Sequence, residues 1–271
     1  MPQNELIAAG SVWLVGAGPG DADLLTRKAE RLIAAAEIIF HDALVGPDIL
    51  ALASPGAELV SVGKRSGRHS KDQGSINALL LAAALEGRRV VRLKGGDPSI
   101  FGRSTEELDH LSGHGVAVQI CPGITAASAA AASGLASLTL RGLARKLSFV
   151  TAHAKAGEAL DLDWTALAAP DSTLAIYMGR AAAPEIVRNL LAAGRAPDTP
   201  VMVAVNVSLP TERLIRGQLS ALPFLVATIS DDDPTVLLIG EAVRGGAGAG
   251  AEGRRSASGS IARVPGDSLT R

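Results

Sequence analysis

Short hydrophobic runs alternate with amphipathic stretches along most of this chain. In the first half, the apolar runs predict strands at 12–15, 38–40, 58–62, 89–93 and 116–120. Helical periodicity predicts helices at 24–36, 75–86 and 105–111, followed by an alanine-rich helix at 126–133. Strands that alternate with helices in this way form a parallel sheet with helices on both faces. The predicted fold class is therefore α/β.

The second half of the chain repeats this alternation. It predicts strands at 147–151, 175–178, 201–206 and 235–239, a helix at 182–193 and a further hydrophobic segment at 219–225. We predict an N-terminal α/β domain over 11–125 and a C-terminal α/β domain over 126–244. Glycine, alanine and serine make up 16 of the last 27 residues, without hydrophobic periodicity. Residues 245–271 are therefore predicted to form a disordered tail.

The composition is typical of a protein with a hydrophobic core and without a membrane span. The chain has 271 residues, of which 47% are hydrophobic, so a sizeable core can form. The sequence has no run of 18 uncharged apolar residues and no secretion signal at its N-terminus, so we predict neither a membrane span nor export. Cys121 is the only cysteine, which excludes an internal disulfide and favours a cytoplasmic location.

Charge is balanced overall but locally basic. The net charge is −1 and only 3% of residues are aromatic, which argues against a nucleic-acid partner. Four cations and no acid occur between Lys64 and Lys71, and four more between Arg141 and Lys155. These stretches form either two solvated loops or two basic walls for a polyanionic small molecule, and composition alone favours the loops.

Two glycine-rich loops follow predicted strands, VGAGPGD at 15–21 and LKGGDP at 93–98. Gly95 and Gly96 allow a ligand to approach the backbone, and Asp97 places a carboxylate beside them. The first loop has Asp21 where a dinucleotide fingerprint needs its last glycine, which disfavours a nicotinamide enzyme. The sequence also lacks a nucleotide-hydrolase phosphate loop and His or Cys residues at metal-ligand spacing, so no metal site is predicted.

An acid and a base follow two other predicted strands. Asp42 comes after the strand at 38–40, and Lys64 comes after the strand at 58–62. Parallel strands deliver such residues to one edge of the sheet, where they either exchange protons with a substrate or form a structural ion pair. Both interpretations remain open on the residues alone.

Six segments in order, between about Val12 and Val243, resemble the uroporphyrinogen-III C-methyltransferases, which belong to the tetrapyrrole methylases. They read VGAGPGDADLLTRKA, HDALV, VGKRSG, VVRLKGGDPSIFGRSTEEL, CPGITAASAAAA and SLTLRGLAR. The resemblance implies a two-domain α/β fold with a mostly parallel N-terminal sheet, a mixed C-terminal sheet, a cleft between them and a homodimer. It also implies S-adenosylmethionine-dependent methylation of uroporphyrinogen III at C2 and C7, giving precorrin-2 through precorrin-1, for sirohaem and cobalamin biosynthesis.

The resemblance also implies residue roles. Asp42 matches the proton acceptor and Lys64 the proton donor. The positions that match cofactor contacts are Pro19, Gly95, Gly96, Asp97, Ile100, Thr125, Ala126, Met178 and Val207. The substrate carries eight carboxylates, and arginine pairs with carboxylates through two parallel hydrogen bonds. We therefore expect a substrate-binding role for Arg65, Arg68, Arg103, Arg141 and Arg145.

The sequence departs from the family pattern at a few positions. Leu140 replaces a histidine, Ser104 and Thr105 replace two glycines, and Val207 stands where relatives often have a small residue. No nicotinamide-binding module precedes Val12, so we expect the methylase activity without the dehydrogenase and iron-insertion activities of fused relatives. The alternatives are a methylase of later corrin intermediates, a diphthamide-type or ribosomal-RNA methylase of the same fold, and a nicotinamide oxidoreductase.

Overall fold

Two five-stranded sheets organise the described part of the chain, which comprises residues 6–63, 72–152 and 160–244 of a computed structural model. The first sheet contains β1 Val12–Gly16, β2 Ile38–His41, β3 Glu58–Ser61, β4 Val90–Lys94 and β5 Val118–Cys121. The helices around it are α1 Arg27–Ala35, α2 Pro47–Leu50, α3 Gln73–Leu85 and α4 Ser104–Gly113. The predicted tail at 245–271 and the basic stretch at 64–71 lie outside the described residues.

The first sheet is parallel throughout. Its strand order is β3-β2-β4-β1-β5, and every neighbouring pair is parallel. Strands β1 and β4 are buried along their whole length, as expected for central strands with both faces covered. The carboxyl ends of β1, β2 and β4 therefore meet at one edge, where open α/β sheets bind their ligands.

The second sheet is mixed. It contains β6 Lys146–Thr151, β7 Ser172–Tyr177, β8 Pro200–Val205, β9 Arg213–Gln218 and β10 Thr235–Ile239, in the order β6-β7-β10-β8-β9. Only β6 and β7 pair in parallel, and the other pairs are antiparallel. The remaining α-helices are α5 Ala126–Ser133, α6 Trp164–Leu167, α7 Ala183–Ala192 and α8 Leu222–Val226. The predicted fold class, with one parallel and one mixed sheet, is confirmed.

Helix α5 packs with the second sheet. Its buried alanines, among them Ala127 and Ala130, share a core cluster with Met202 and Leu238. This packing supports a boundary between residues 125 and 126, although the domain limits themselves stay a prediction.

Helix α3 is the longest described helix, at 13 residues, and no helix in the described ranges is long and apolar enough to cross a membrane.

Several elements differ from the predicted bounds or were not predicted, and three of them show why. Helix α1 begins at Arg27 rather than at residue 24, because the Thr26 hydroxyl caps it by accepting a hydrogen bond from Ala29 N at 3.1 Å. Strand β7 begins at Ser172, three residues early, because its first two polar residues are buried in the sheet. Strand β9 was not predicted, because its sequence, RLIRGQ, has no run of apolar residues.

Candidate active site

A cleft of about 650 Å³ opens between the two sheets. One wall consists of the loops that follow β1, β2 and β4, together with the start of α4. The other wall comes from the segments 177–181, 204–209 and 231–236, which contribute most of their residues, at the ends of β7 and β8 and the start of β10. Because β10 runs antiparallel to both of its neighbours, its first residues lie at the same edge as the last residues of β7 and β8.

The cleft brings together most of the predicted site residues. Its lining includes Pro19, Asp42, Gly95, Gly96, Asp97, Ile100, Arg103, Thr125, Ala126, Met178 and Val207. By contrast, Arg141 and Arg145 lie in and after an exposed turn closed by a Leu140–Ala144 bridge, and they do not line the cleft. Lys64, Arg65 and Arg68 lie outside the described residues. The individual roles of all these residues stay predictions.

The glycine loops after β1 and β4 are hydrogen-bonded to each other. Gly18 N donates to Gly96 O at 3.1 Å, and Gly96 N donates to Gly18 O at 2.7 Å. Gly16 leaves room for the loop after β5, because a Cβ there would lie only 2.6 Å from Gly123 N. The glycines are thus required for the close crossing of three backbones, and this crossing makes the floor of the cleft a main-chain surface.

Backbone amides hold both oxygens of the Asp42 carboxylate. Oδ1 accepts a hydrogen bond from Leu44 N at 2.9 Å, and Oδ2 accepts one from Gly95 N at 2.9 Å. Asp42 N in turn donates to Leu93 O, the carbonyl of a β4 residue, at 3.3 Å. An ionised carboxylate has about four acceptor positions, so this one is fixed in place and still able to accept from a ligand.

Asp97 ties the β4 loop to the β5 loop. Its Oδ2 accepts a hydrogen bond from Gly123 N at 2.9 Å, and its Oδ1 accepts from Ser99 N at 2.8 Å and from the Ser99 hydroxyl. Both oxygens therefore stabilise the main-chain floor of the cleft. A direct contact of this carboxylate with a cofactor stays a prediction.

Four non-glycine residues of the cleft have left-handed backbone conformations. The φ angles are 52° at Phe101, 55° at Arg103, 55° at Met178 and 50° at Asn206. Such conformations are uncommon outside glycine and concentrate at functional sites. At Met178 the conformation ends β7 and leaves the side chain half exposed beside the cleft.

The family model for Tetrapyrrole (Corrin/Porphyrin) Methylases matches residues 11–223 of this chain. The chain belongs to the tetrapyrrole methylases. A siroheme synthase from Azotobacter vinelandii is 47% identical over 237 residues, which are 88% of this chain and 51% of that protein. The chain thus spans about half the length of the curated relatives it matches.

Two solved structures of methyltransferases resemble this methylase along most of both chains. A cobalt precorrin-4 methyltransferase has a TM-score of 0.77 and 29% identity, and the match covers 90% of this chain and 98% of that one. A uroporphyrin-III C-methyltransferase from Thermus thermophilus, complexed with S-adenosylhomocysteine, has a TM-score of 0.73 and 38% identity. That match covers 86% of this chain and 93% of the other. The family predicted from the sequence is confirmed.

Tyr177 is a residue of the methylase cleft that sequence reasoning missed. Its hydroxyl hydrogen-bonds with the Thr125 hydroxyl and accepts a hydrogen bond from Ala127 N at 3.1 Å. Its ring lies 5.3 Å from that of Phe101, centroid to centroid, and burial raises the pKa of its hydroxyl. Tyr177 thereby connects the start of α5 to β7 and to the loop over the cleft. The one feature of the sequence that could have drawn attention to Tyr177 is that it is the only tyrosine in the chain.

Removing the Tyr177 hydroxyl is expected to destabilise the folded protein. We expect Tyr177→Phe to lower the free energy of unfolding by about 1 to 2 kcal/mol, because Ala127 N and the Thr125 hydroxyl lose a partially buried partner. Chemical denaturation followed by circular dichroism measures this difference. Thr125→Ser retains the hydroxyl and serves as the control, and equal stability of Tyr177→Phe and the unmodified protein would contradict the assignment.

The wall from the second sheet carries charges that the sequence analysis did not single out. Arg180 forms an ion pair with Asp231 and donates to Ile229 O at 3.1 Å. Asp233 accepts hydrogen bonds from Asn206 and Arg213, each at 3.1 Å. In the described residues, no group of three or more His, Cys, Asp or Glu side chains could hold a metal ion.

Two cations of β4 line the cleft from below and were also missed. Arg92 Nε lies 3.2 Å from Glu107 Oε1, and Lys94 Nζ lies 2.8 Å from Glu107 Oε2. Gln73, at the start of α3, also donates to Glu107 Oε1 at 3.3 Å. These residues join β4, α3 and α4 in one buried polar cluster.

Proposed function

We propose that this methylase transfers two methyl groups, one after the other, from S-adenosylmethionine to C2 and C7 of uroporphyrinogen III. The product is precorrin-2, formed through precorrin-1, for sirohaem and cobalamin biosynthesis. The observation that carries the proposal is the Asp42 carboxylate, held by Leu44 N and Gly95 N in a cleft lined by both halves of the chain. The 38% identity to a uroporphyrin-III C-methyltransferase supports this choice of substrate.

The cleft fits S-adenosylmethionine. Gly96 has a φ of +69°, and a Cβ built on it has no heavy atom within 4 Å, so ligand atoms can approach its backbone. Met178 adds a half-exposed thioether, and Thr125 adds a hydroxyl from the segment between the sheets. When bound, the cofactor supplies a methyl group activated by a sulfonium, and its demethylated form is S-adenosylhomocysteine. The residues proposed to hold it are Pro19, Gly95, Gly96, Asp97, Ile100, Thr125, Ala126, Met178 and Val207.

Asp42 and Lys64 handle protons in the proposed reaction. Methylation of a pyrrole carbon leaves a cationic ring system, which the Asp42 carboxylate stabilises and then deprotonates. Lys64 is the proposed proton donor and lies outside the described residues. Its neighbour Gly63 packs so closely against Ala43 N that a Cβ would not fit. Gly63, the last described residue before Lys64, therefore lies directly beside the Asp42 loop, which supports the assignment.

Arginines bind the eight substrate carboxylates in the proposal. Arg103 lines the cleft with an exposed guanidinium, which now pairs with Glu106 at 2.6 Å. An exposed ion pair contributes little to stability, so a substrate carboxylate can replace Glu106 as its partner. Arg65 and Arg68 are also proposed substrate arginines, whereas Arg141 and Arg145, which the sequence also suggested, do not line the cleft.

We also propose that the enzyme works in the cytoplasm as a homodimer. Exposed apolar side chains near the Arg141 turn support a protein partner there, since Leu135, Leu140 and Leu143 are all exposed. The proposed partners are thus a tetrapyrrole substrate and a second copy of the chain, without nucleic acid or a membrane.

Mass spectrometry of the product tests the proposed substrate. The methylase is incubated anaerobically with S-adenosylmethionine and uroporphyrinogen III. The mass of the oxidised product is then measured at successive times. The proposal predicts a species with one added methyl group, followed by a species with two. Absence of methylation, with S-adenosylmethionine still bound in a parallel titration, would contradict the proposed substrate.

A second candidate function is methylation of a later corrin intermediate. The TM-score of 0.77 to a cobalt precorrin-4 methyltransferase favours it, although the identity is lower, at 29%. The same assay with a cobalt precorrin-4 substrate decides between the two. Methylation of that substrate and not of uroporphyrinogen III would replace the proposed function with this one.

A further inference from the structure

The two halves of the chain are joined by direct contacts at one end of the cleft. Asp21 N, in the loop after β1, donates a hydrogen bond at 3.0 Å to the Ser208 hydroxyl, in the loop between β8 and β9. The preceding Gly20 packs against Leu209, because a Cβ on this glycine would lie 2.6 Å from Leu209 Cδ2. We call the junction formed by Gly20, Asp21, Ser208 and Leu209 the latch.

The latch lies next to two of the residues proposed to hold the cofactor. Pro19 directly precedes Gly20, Val207 directly precedes Ser208, and both Pro19 and Val207 line the cleft. Leu209, a member of the latch, lines the cleft as well. Each half of the chain thus contributes one proposed cofactor contact beside the latch, and the latch fixes how far apart these two contacts lie.

Ser208 has a backbone conformation that needs support from its neighbours. Its φ angle is 65°, and such left-handed conformations cost free energy in residues other than glycine and persist only where surrounding contacts hold them. Ser208 N donates a hydrogen bond to Glu212 Oε2 at 2.6 Å. Glu212 N donates in turn to Leu209 O at 2.9 Å, which closes the turn. Glu212 therefore helps to set the direction of the Ser208 hydroxyl.

The Glu212 carboxylate is also anchored to α5. Its Oε2 accepts a second hydrogen bond, at 3.1 Å, from the hydroxyl of Ser133, the last residue of that helix. Hydrogen bonds to an ionised acceptor are about twice as strong as those between neutral groups. A continuous path of hydrogen bonds therefore runs from α5 through Glu212 and Ser208 to the backbone of Asp21.

Stability of the fold does not account for this path. Asp21 is exposed, and Ser208 and Glu212 are only half-buried. Hydrogen bonds at such positions compete with water, so their loss costs the folded state little. A left-handed serine held in a partly exposed loop is better explained by the cleft beside it, since strained backbone concentrates at functional sites.

We propose that Glu212 is a positioning residue for the cofactor, which holds the latch closed and so keeps Pro19 and Val207 at the separation that S-adenosylmethionine requires. Glu212 does not line the cleft, so it acts through the latch. When the latch is open, only a fraction of the molecules can bind the cofactor, and the apparent dissociation constant rises by the inverse of that fraction. The inference rests on the cofactor site of the proposed function and is independent of the proposed tetrapyrrole.

Calorimetric titration of the full chain with S-adenosylhomocysteine tests the proposal without any tetrapyrrole. Glu212→Ala removes the acceptor for Ser208 N, and we expect the dissociation constant to rise about tenfold. Ser208→Ala removes the hydroxyl that accepts from Asp21 N, so the same rise is expected, and it replaces Glu212→Ala if that variant does not fold. Glu212→Gln keeps an acceptor oxygen for both donors and is expected to retain most of the affinity.

Two comparisons separate positioning from general stability. Asp163→Ala removes another carboxylate that accepts from a backbone amide, Ala166 N at 3.0 Å, at the start of α6. This control is expected to lower Tm and to leave the affinity unchanged, and a merely structural role of Glu212 predicts the same pattern for Glu212→Ala. The double variant Glu212→Ala with Ser208→Ala is expected to bind no more weakly than either single variant, because both changes open the same latch.

The outcomes distinguish this inference from the proposed function. Unchanged affinity in Glu212→Ala and Ser208→Ala, or additive losses in the double variant, would overturn the inference while the unmodified protein still binds S-adenosylhomocysteine. If the unmodified protein does not bind S-adenosylhomocysteine, the proposed cofactor site fails and the inference fails with it. Weaker binding in Glu212→Ala that Glu212→Gln largely restores supports the inference, even if uroporphyrinogen III is not methylated. In that case only the proposed substrate fails.

Discussion

Asp42→Asn lowers the rate of methylation by about 10²- to 10⁴-fold and leaves the affinity for S-adenosylmethionine unchanged. The amide has nearly the shape of the carboxylate, and its oxygen still accepts from one of the two backbone amides that hold Asp42, Leu44 N and Gly95 N, whereas its NH2 group cannot accept from the other. The amide also carries no negative charge and accepts no proton from the methylated ring. Single-turnover assays give the rate, and calorimetry with S-adenosylhomocysteine gives the affinity for the cofactor site.

The matched control for this change is Asp109→Asn, which alters an exposed carboxylate of α4 in the same way. The control is expected to retain both the rate and the cofactor affinity. If Asp42→Asn instead abolished cofactor binding, Asp42 would belong to the binding residues, and its assignment as proton acceptor would be wrong.

Gly123→Ala disrupts the floor of the cleft. Its Cβ would meet Gly96 O well inside van der Waals contact and would lie 2.9 Å from Gly16 Cα. All of these are backbone atoms, which cannot move aside as a flexible side chain can. We expect the free energy of unfolding to fall by about 3 kcal/mol, which corresponds to a decrease in Tm of roughly 6 to 12 °C. We also expect weaker binding of S-adenosylhomocysteine.

Gly113→Ala is the control for this second substitution. Gly113 is the last residue of α4, has a φ outside the left-handed region, and has nothing within 4 Å of a built Cβ. Its expected change in Tm is small. Differential scanning calorimetry of both variants measures the contrast, and an equal Tm for the two would show that the backbone crossing at Gly123 tolerates a side chain.

The sequence predicted the architecture because the buried strands have strong local signals. Strands β1 and β4 read VWLVG and VVRLK; β1 ends in Gly16, and Gly95 and Gly96 directly follow β4. The position of Asp42 followed from the same logic, since a residue after a parallel strand lies at the ligand-binding edge. The α5 range was predicted without error because Gly134 directly follows Ser133, the last helical residue.

The contacts that hold the cleft together were not predictable in the same way. Glu107 lies 15 residues from Arg92 and 13 from Lys94, on a different element. Tyr177 lies 52 residues from Thr125. Such pairings depend on how a helix docks on the sheet, and no periodicity within one element specifies that docking.

Local charge left the orientation of the basic stretches open. The stretch around Arg141 was compatible with a solvated loop or with a wall of the cleft, and the structure places this arginine in an exposed turn. The pattern Leu140-Arg141-Gly142 fixes a turn without fixing the surface that the turn faces. The left-handed conformation of Met178 was likewise not predictable, because a methionine side chain does not favour it.

The measurement that tests the central claim most directly is transfer of a ¹³C-methyl group from labelled S-adenosylmethionine to uroporphyrinogen III, with the product examined by NMR. The proposed function predicts two labelled methyl resonances, assigned to C2 and C7, and a single one early in the time course. Label at other carbons, or no label in the tetrapyrrole while the enzyme still binds the cofactor, would contradict it.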